Sequence, residues 1–205
     1  MASYGYVQRG AARQHERVGW LHFGEHKWIY FGERPSVYTN PAAGTLRLVR
    51  NSASSDTTSV LDFIAVEAPK ASVYAAGFNL PLDVAKVALD VAKPFVLPAT
   101  LALDPGSPPR AASAALPSSG PLANNLVTVL SQKAAGAGAI ATDTAVTAGA
   151  VLYTVTLNLL AESAPGVVFD GTTAATVTSG GMLNKVGEAI VQPKDIGIGK
   201  LEVVE

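Results

Sequence analysis

The sequence predicts an all-β protein, an antiparallel sandwich that carries an aromatic β-hairpin at its amino end. Three observations point there. The stretch "VLYTVTLNLLAESAPGVVFDG" (151–171) alternates like a strand, breaks at a Pro-Gly turn and starts a second apolar run. Eight or more short runs of this kind follow one another with Gly, Pro, Ser and Asn clusters between them. Hydrophobic residues make up 48% of the 205 residues and charged residues 15%, which supplies a large core and leaves a surface poor in charge.

Residues 1–43 read as an arm. Of the fourteen aromatic residues, Tyr4, Tyr6, Trp20, Phe23, Trp28, Tyr30, Phe31 and Tyr38 lie there, with all three histidines. "WLHF" (20–23) and "WIYF" (28–31) flank "GEHK", the pattern of a hairpin with a Gly-containing loop. Cross-strand aromatic pairs would add roughly 0.2–1 kcal/mol each. A lone hairpin is marginal in water, so it needs a surface to pack on, either its own body or a neighbouring subunit.

Residues 44–205 read as the sandwich. "TLRLVRN" (45–51) alternates as a strand, and "TTSVLDFIAVEA" (57–68) is another, with Val60, Phe63 and Ile64 expected in the core. "SVYAAGFNLPLD" (72–83) follows, and its Pro81 suggests an edge or a bulge. "VAKVALDVA" (84–92) fits a short helix at its start and a strand from Lys86 onward, and "PFVLPATLALD" (94–104) holds further short β material. "DPGSPPRAASAALPSSGP" (104–121) is too rich in proline for regular structure and reads as a surface loop, or as one that reaches an adjacent subunit. "NNLVTVLSQK" (124–133) is a strand. "AAGAGAIATDTAVTAGA" (134–150) is a small-residue linker with a short strand at 139–141. In 151–160, Val151, Tyr153, Val155, Leu157 and Leu159 share one phase, and the more polar opposite phase marks a half-buried strand. "VVFD" (167–170) and "AATVTS" (174–179) are strands, Gly180-Gly181 a turn, and "GKLEVVE" (199–205) a last short strand.

Charge is unevenly spread. Residues 1–50 hold seven Lys/Arg against three Glu, a balance of +4; with the chain at −1, the remainder carries −5. A basic arm on an acidic body suits docking on an acidic neighbour, including another copy of that body. The basic residues are too sparse to track phosphates, so no nucleic acid is expected. Cysteine is absent, which excludes disulfide and thiolate chemistry. "MASYGYVQRGAARQHERVGW" has no apolar core of a secretory signal, and no stretch approaches about 18 apolar residues, so neither Sec export nor a membrane span is expected.

From about Gly44 onward the chain resembles the cohesin-like sandwich family, the modules of cellulosome scaffolds and related surface proteins. The residues that carry the likeness are "VLDFIAVEAPKASVYAAGFNLPLDVAKV" (60–87), "NNLVTVLSQ" (124–132) and "GAVLYTVTLNLLAESAPGVVFDG" (149–171). Within the first lies an apolar-x-Leu-x-x-Asp pattern, here Phe78, Leu80 and Asp83. The resemblance implies a jelly-roll or Ig-like sandwich that binds protein through a sheet face. The added aromatic arm resembles, at the level of architecture, phage head-decoration and cement proteins, in which an arm staples capsomers.

No constellation for chemistry stands out. His15, His22 and His26 with Glu25 could supply zinc ligands if a hairpin gathered them; solvated or interface histidines are the plainer reading. A serine nucleophile lacks both a Gly-x-Ser-x-Gly elbow and a histidine in the body. Asp83 with Asp90, or Asp56 with Asp62, could be paired carboxylates for glycoside hydrolysis, against solvated acids. Asp143, Asp170 and Asp195 show no spaced calcium set, and "GAGAIATD" (136–143) lacks the βαβ context of a phosphate cradle. The expectation is therefore a non-enzymatic structural protein with no catalytic residue, cofactor or metal. It would be a homo-oligomer that docks on virion or capsid neighbours through Arg17, Trp20, Phe23, Trp28, Tyr30 and Phe31, residue types that dominate interface hot spots. The alternative is a cohesin-like protein- or glycan-binding module at the cell exterior.

Overall fold

The computed structural model describes residues 34–68, 75–98, 111–131, 146–161, 163–171, 177, 179–184 and 187–204, and the backbone of three strands at 4–6, 19–23 and 27–31. Among these residues the chain is all-β. In chain order the strands are β1 (Tyr4–Tyr6), β2 (Gly19–Phe23), β3 (Lys27–Phe31), β4 (Ser36–Thr39), β5 (Leu46–Arg50), β6 (Thr58–Ala65), β7 (Ala75–Pro81), β8 (Val87–Leu89) and β9 (Phe95–Val96). They continue with β10 (Ala111–Ala115), β11 (Asn125–Ser131), β12 (Val151–Leu159), β13 (Gly166–Asp170), β14 (Ser179–Leu183), β15 (Ala189–Val191), β16 (Ile196–Gly197) and β17 (Lys200–Val203).

Two sheets form the sandwich. One has five strands in the order β10-β11-β7-β14-β15, and the other six in the order β16-β5-β6-β12-β8, with β9 also on β12. A three-stranded sheet, β13-β17-β4, completes the body, and β1-β2-β3 form a separate three-stranded sheet. The body's pairing reaches back to Ser36, because β4 pairs with β17 and Tyr38 is buried. All pairings are antiparallel except β16 on β5, which is parallel and departs from a purely antiparallel plan.

The core lies between the two large sheets. Ser59, Leu61, Phe63 and Ala65 face it from β6, Ala76, Phe78 and Leu80 from β7, and Leu126, Thr128 and Leu130 from β11. The phase of β6 corrects the sequence expectation. Phe63 is fully buried, whereas Val60 and Ile64 sit on the opposite face with Asp62, because residues an odd number of positions from Phe63 point the other way. On β12, Tyr153, Val155 and Leu157 face inward as expected. A bulge between Val151 and Tyr153 brings Leu152 inward as well, so two consecutive residues are buried.

Four rings meet at the centre. Tyr153 lies 5.0 Å from Phe63, 4.8 Å from Phe95 and 6.5 Å from Phe78 between ring centroids, and Phe63 meets Phe78 edge-on at 5.1 Å. The Tyr153 hydroxyl crosses to the other sheet and lies 2.8 Å from Thr128 Oγ1. Thr128 has one proton, which goes to the Phe78 carbonyl at 3.2 Å, while its oxygen accepts the Phe78 N–H at 3.0 Å. Tyr153 is therefore the donor to Thr128. Burial pushes the Tyr153 phenol far above its ordinary range.

A second buried phenol ties the three-stranded sheet to the six-stranded one. Tyr38 on β4 donates to the Leu48 carbonyl on β5 at 2.6 Å and accepts the Gly199 N–H at 3.0 Å. Gly199 must be glycine for this, since a Cβ there would lie 2.0 Å from the Thr39 carbonyl oxygen and 2.7 Å from the Tyr38 ring.

Three further expectations change. Gly180-Gly181 is not a turn but lies inside β14. Their φ values of +141° and +132° suit glycine, and Cβ atoms there would lie 2.4 Å from Gly77 O and 2.1 Å from Val191 O, so only bare backbone lets β14 fit between β7 and β15. The Pro-rich stretch 104–121 is not wholly irregular. Its proline-free centre, "AASAA", is β10, an edge strand paired on β11 alone. Pro81 marks no edge either: β7 is central in its sheet, and Pro81 is its last, exposed residue. Residues 139–141 and 172–176 lie outside the described residues, as do 104–110.

The Tyr153–Thr128 pair yields a double-mutant test. Thr128→Val leaves the Tyr153 hydroxyl buried without its acceptor and is expected to cost about 1–3 kcal/mol, and Tyr153→Phe about 1 kcal/mol. The double variant should cost less than the sum, because no orphaned hydroxyl remains. Urea denaturation of the four proteins measures the coupling; strictly additive losses would contradict the assignment.

Candidate functional site

Two surfaces carry the residues that the sequence singled out. The first is the amino-terminal sheet. Its β2–β3 register sets Gly19 opposite Phe31, Trp20 opposite Tyr30, Leu21 opposite Ile29, His22 opposite Trp28 and Phe23 opposite Lys27. Its third strand, β1, sets Tyr4 opposite Leu21 and Tyr6 opposite Gly19, and the sequence reading did not foresee it. Five of the six expected docking residues, Trp20, Phe23, Trp28, Tyr30 and Phe31, thus take defined register positions on adjacent strands. Arg17 lies outside the described residues, as do His15, Glu25 and His26.

One phase of this sheet holds Trp20, His22, Trp28 and Tyr30, and the other holds Gly19, Leu21, Phe23, Lys27, Ile29 and Phe31 together with Tyr4 and Tyr6. Apolar residues therefore occupy both phases. Half-buried antiparallel sheets alternate apolar with polar, and sheets covered on both sides do not.

The second surface is the outer face of the six-stranded sheet. Asp62 on β6 accepts hydrogen bonds from Asn51 Nδ2 at 2.7 Å and from the Thr154 hydroxyl at 2.6 Å. Alongside, Thr58 Oγ1 donates to Asn158 Oδ1 at 3.1 Å, and Asn158 Nδ2 donates to Asp90 Oδ2 at 2.8 Å. The other Asp90 oxygen accepts the backbone N–H groups of Ala92 at 2.9 Å and Lys93 at 2.5 Å, which closes the turn between β8 and β9. An open groove of about 290 Å³ runs over this face, with Val60, Val96, Thr154 and Thr156 beneath and Asn51, Asp90 and Lys93 at its sides.

Of the carboxylates proposed as pairs, Asp83, Asp90 and Asp62 each accept hydrogen bonds from other groups. Asp83 is held by its own turn: it accepts the Lys86 ammonium at 2.8 Å and the Ala85 N–H at 3.0 Å, while its own N–H donates to Val168. Asp90 is held by Asn158 and Lys93, and Asp62 by Asn51 and Thr154. The Lys86 hydrogen bond holds Asp83 below the usual carboxylate range, and the Asn158 hydrogen bond, then the Lys93 N–H, does the same for Asp90. A general acid needs the opposite shift. Sequence spacing alone does not show these bonds, since Asn158 is distant in the chain from Asp90, and Thr154 from Asp62.

Asp170 lies on β13 and Asp195 in the 3-10 turn Pro193–Asp195, while Asp143 is outside the described residues. Among the described residues, no three His, Asp or Glu side chains gather into a metal-binding group. No helix among them is long and apolar enough to cross a membrane. No protein-family model, curated protein or solved structure matches the chain.

The Asp90 bonds set a pH dependence. Its folded pKa lies below the ordinary 3.8, so the stabilisation is complete above that value and is lost as pH falls through the folded pKa. Asp90→Asn should therefore be less stable than the parent at pH 7, and the gap should narrow as the pH falls below the ordinary carboxylate range. Chemical denaturation of both proteins across that range checks it. A gap independent of pH would show that the carboxylate charge plays no part.

Proposed function

We propose that this chain is a non-enzymatic structural protein that assembles onto protein neighbours through its amino-terminal sheet. The observation that carries the reading is the run of aromatic and aliphatic residues in both phases of β1-β2-β3. A sheet of that kind needs cover on each side, and the body of the same chain can supply one at most. A neighbouring subunit supplies the other. Trp20, Phe23, Trp28, Tyr30 and Phe31 are its contact positions, with Arg17 as a further one from the sequence. The +4 balance of residues 1–50 against −5 in the remainder favours an acidic neighbour, a second copy included. A decoration or cement subunit of a phage virion, made in the host cytoplasm, fits this design: a small sandwich with an arm and no chemistry.

A second reading has its own support. The groove between Asn51 and Lys93 offers a mixed apolar and polar sheet face, as a cohesin-like module for protein or glycan would. It makes no use of the aromatic sheet.

Sedimentation separates the two. The full-length chain should co-migrate with the particle fraction of its native source, and the Trp20→Ser/Trp28→Ser variant should stay at the top of the gradient. The Lys93→Glu variant should still co-migrate. A parent chain that never enters the particle fraction overturns the assembly reading, and glycan-array binding abolished by Lys93→Glu would favour the module.

A further inference from the structure

We infer that the outer face of the five-stranded sheet is a self-association surface on which a second copy of this chain docks face to face. The proposal extends the assembly reading to a second surface and rests on that reading only for its setting. None of β10, β11, β7, β14 and β15 carries a charged residue on either face. The charged residues of the other body strands, Arg47, Arg50, Asp62, Asp170, Lys200 and Glu202, all belong to the other two sheets. A soluble face normally carries charge, and charge is what interface centres lack.

The face is flat as well as uncharged. Ser113, Val129, Gly77 and Gly181 stand in one row across four strands, and in the next row Val127 stands beside Asn79 and Ser179. Asn79 donates to Ser179 at 2.7 Å, so this polar pair is satisfied within the face. Val129 and Leu183 rise above the small residues and are 38% and 37% exposed. Small side chains with a few apolar projections suit sheet-on-sheet packing at about 10 Å.

Charge selects the occupant. A two-fold interface sets each face against its own copy, so any net charge on it would repel itself. The other two sheets carry charges that a contact would have to desolvate, and this face carries none. Area agrees. Five strands about 4.8 Å apart and about five residues long present roughly 400 Å² in projection. The accessible area of such a surface exceeds its projection, so two apposed faces remove about 1,000 Å², near the lower bound for specific association.

The test is the solution mass of the full chain at roughly 100 µM, where a Kd of tens of micromolar still populates a dimer. Light scattering on the undiluted solution should give a mean mass clearly above the 21.0 kDa of one chain, rising toward twice that value with concentration. Val129→Asp places two like charges across the two-fold contact and should shift the mass to one chain with unchanged circular dichroism. Ser113→Lys, at an exposed edge position, should do the same and covers the case in which Val129→Asp fails to fold. Val96→Asp on the other sheet should leave the dimer intact, as should Trp20→Ser/Trp28→Ser, which tests the amino-terminal reading separately. A monomeric parent, a dimer that survives both charged variants, or one lost only with the tryptophans overturns the proposal.

Discussion

The fold depends on placing a phenol hydroxyl in the middle of an apolar core and satisfying it there. A buried hydroxyl without a partner costs a large part of what its ring gains by burial. Tyr153 meets that constraint only because Thr128 faces it from the opposite sheet, and Thr128 can accept only because its own proton goes to Phe78. The bond therefore fixes more than two side chains. It sets β12 against β11, and through Phe78 it sets β7 as well. Register follows, because a one-residue slip of β11 would turn Thr128 outward and aim Val127 or Val129 at the phenol. The bulge before Tyr153 belongs to the same arrangement: it lets Leu152 enter the core without moving Tyr153 from its phase. Tyr38 repeats the device at the third sheet with backbone partners, the Leu48 carbonyl and the Gly199 amide.

Glycine supplies the complementary constraint. Where Tyr38 needs room, Gly199 gives it; where β14 must lie between two strands, Gly180 and Gly181 do. These residues were the least legible part of the sequence. A Gly-Gly pair reads as a turn on local grounds, and only the approach of Gly77 and Val191 from distant parts of the chain shows why side chains are excluded. Alternation, by contrast, was legible: 46–50, 58–65, 125–131 and 151–159 appear as strands where the pattern put them. Phase was less so. Val60 and Ile64 outnumber Phe63 as β-branched residues, and only the larger ring, with Leu61 and Ala65 in its phase, decides which face is buried. β15 and β16 were missed because each is two or three residues long, too short for any period to show.

The surfaces divide in the same way. The aromatic runs of residues 20–31 were legible as paired strands from composition and loop chemistry, and the register sets Trp20 by Tyr30. Their third strand, β1, was not, since "YGY" carries no alternation that distinguishes it from a loop. The polar ladder over the six-stranded sheet was invisible for a different reason. Asp62, Thr154, Asn158 and Asp90 look like isolated solvated residues in sequence, and it is the pairing of β6, β12 and β8 that lines them up. Once aligned, each carboxylate accepts hydrogen bonds from its neighbours across the strands and turns.

The distribution of charge supports the assembly reading proposed above. Low charge in a chain of this size could arise by thinning every surface equally, and it does not. The six-stranded and three-stranded sheets keep their Arg, Asp, Lys and Glu, and the five-stranded sheet has none. A face without charge gains nothing for an isolated soluble domain, because it lowers solubility and adds no core. Its gain comes on contact, where desolvating Ser, Ala, Gly and Val costs little and desolvating a Lys or Glu costs much. The amino-terminal sheet, with aromatic residues in both phases, extends the same proposal to a second surface. On that reading two such surfaces on one chain would give each subunit two directions of contact, and two directions are what a layer or shell requires where a single one yields only a pair.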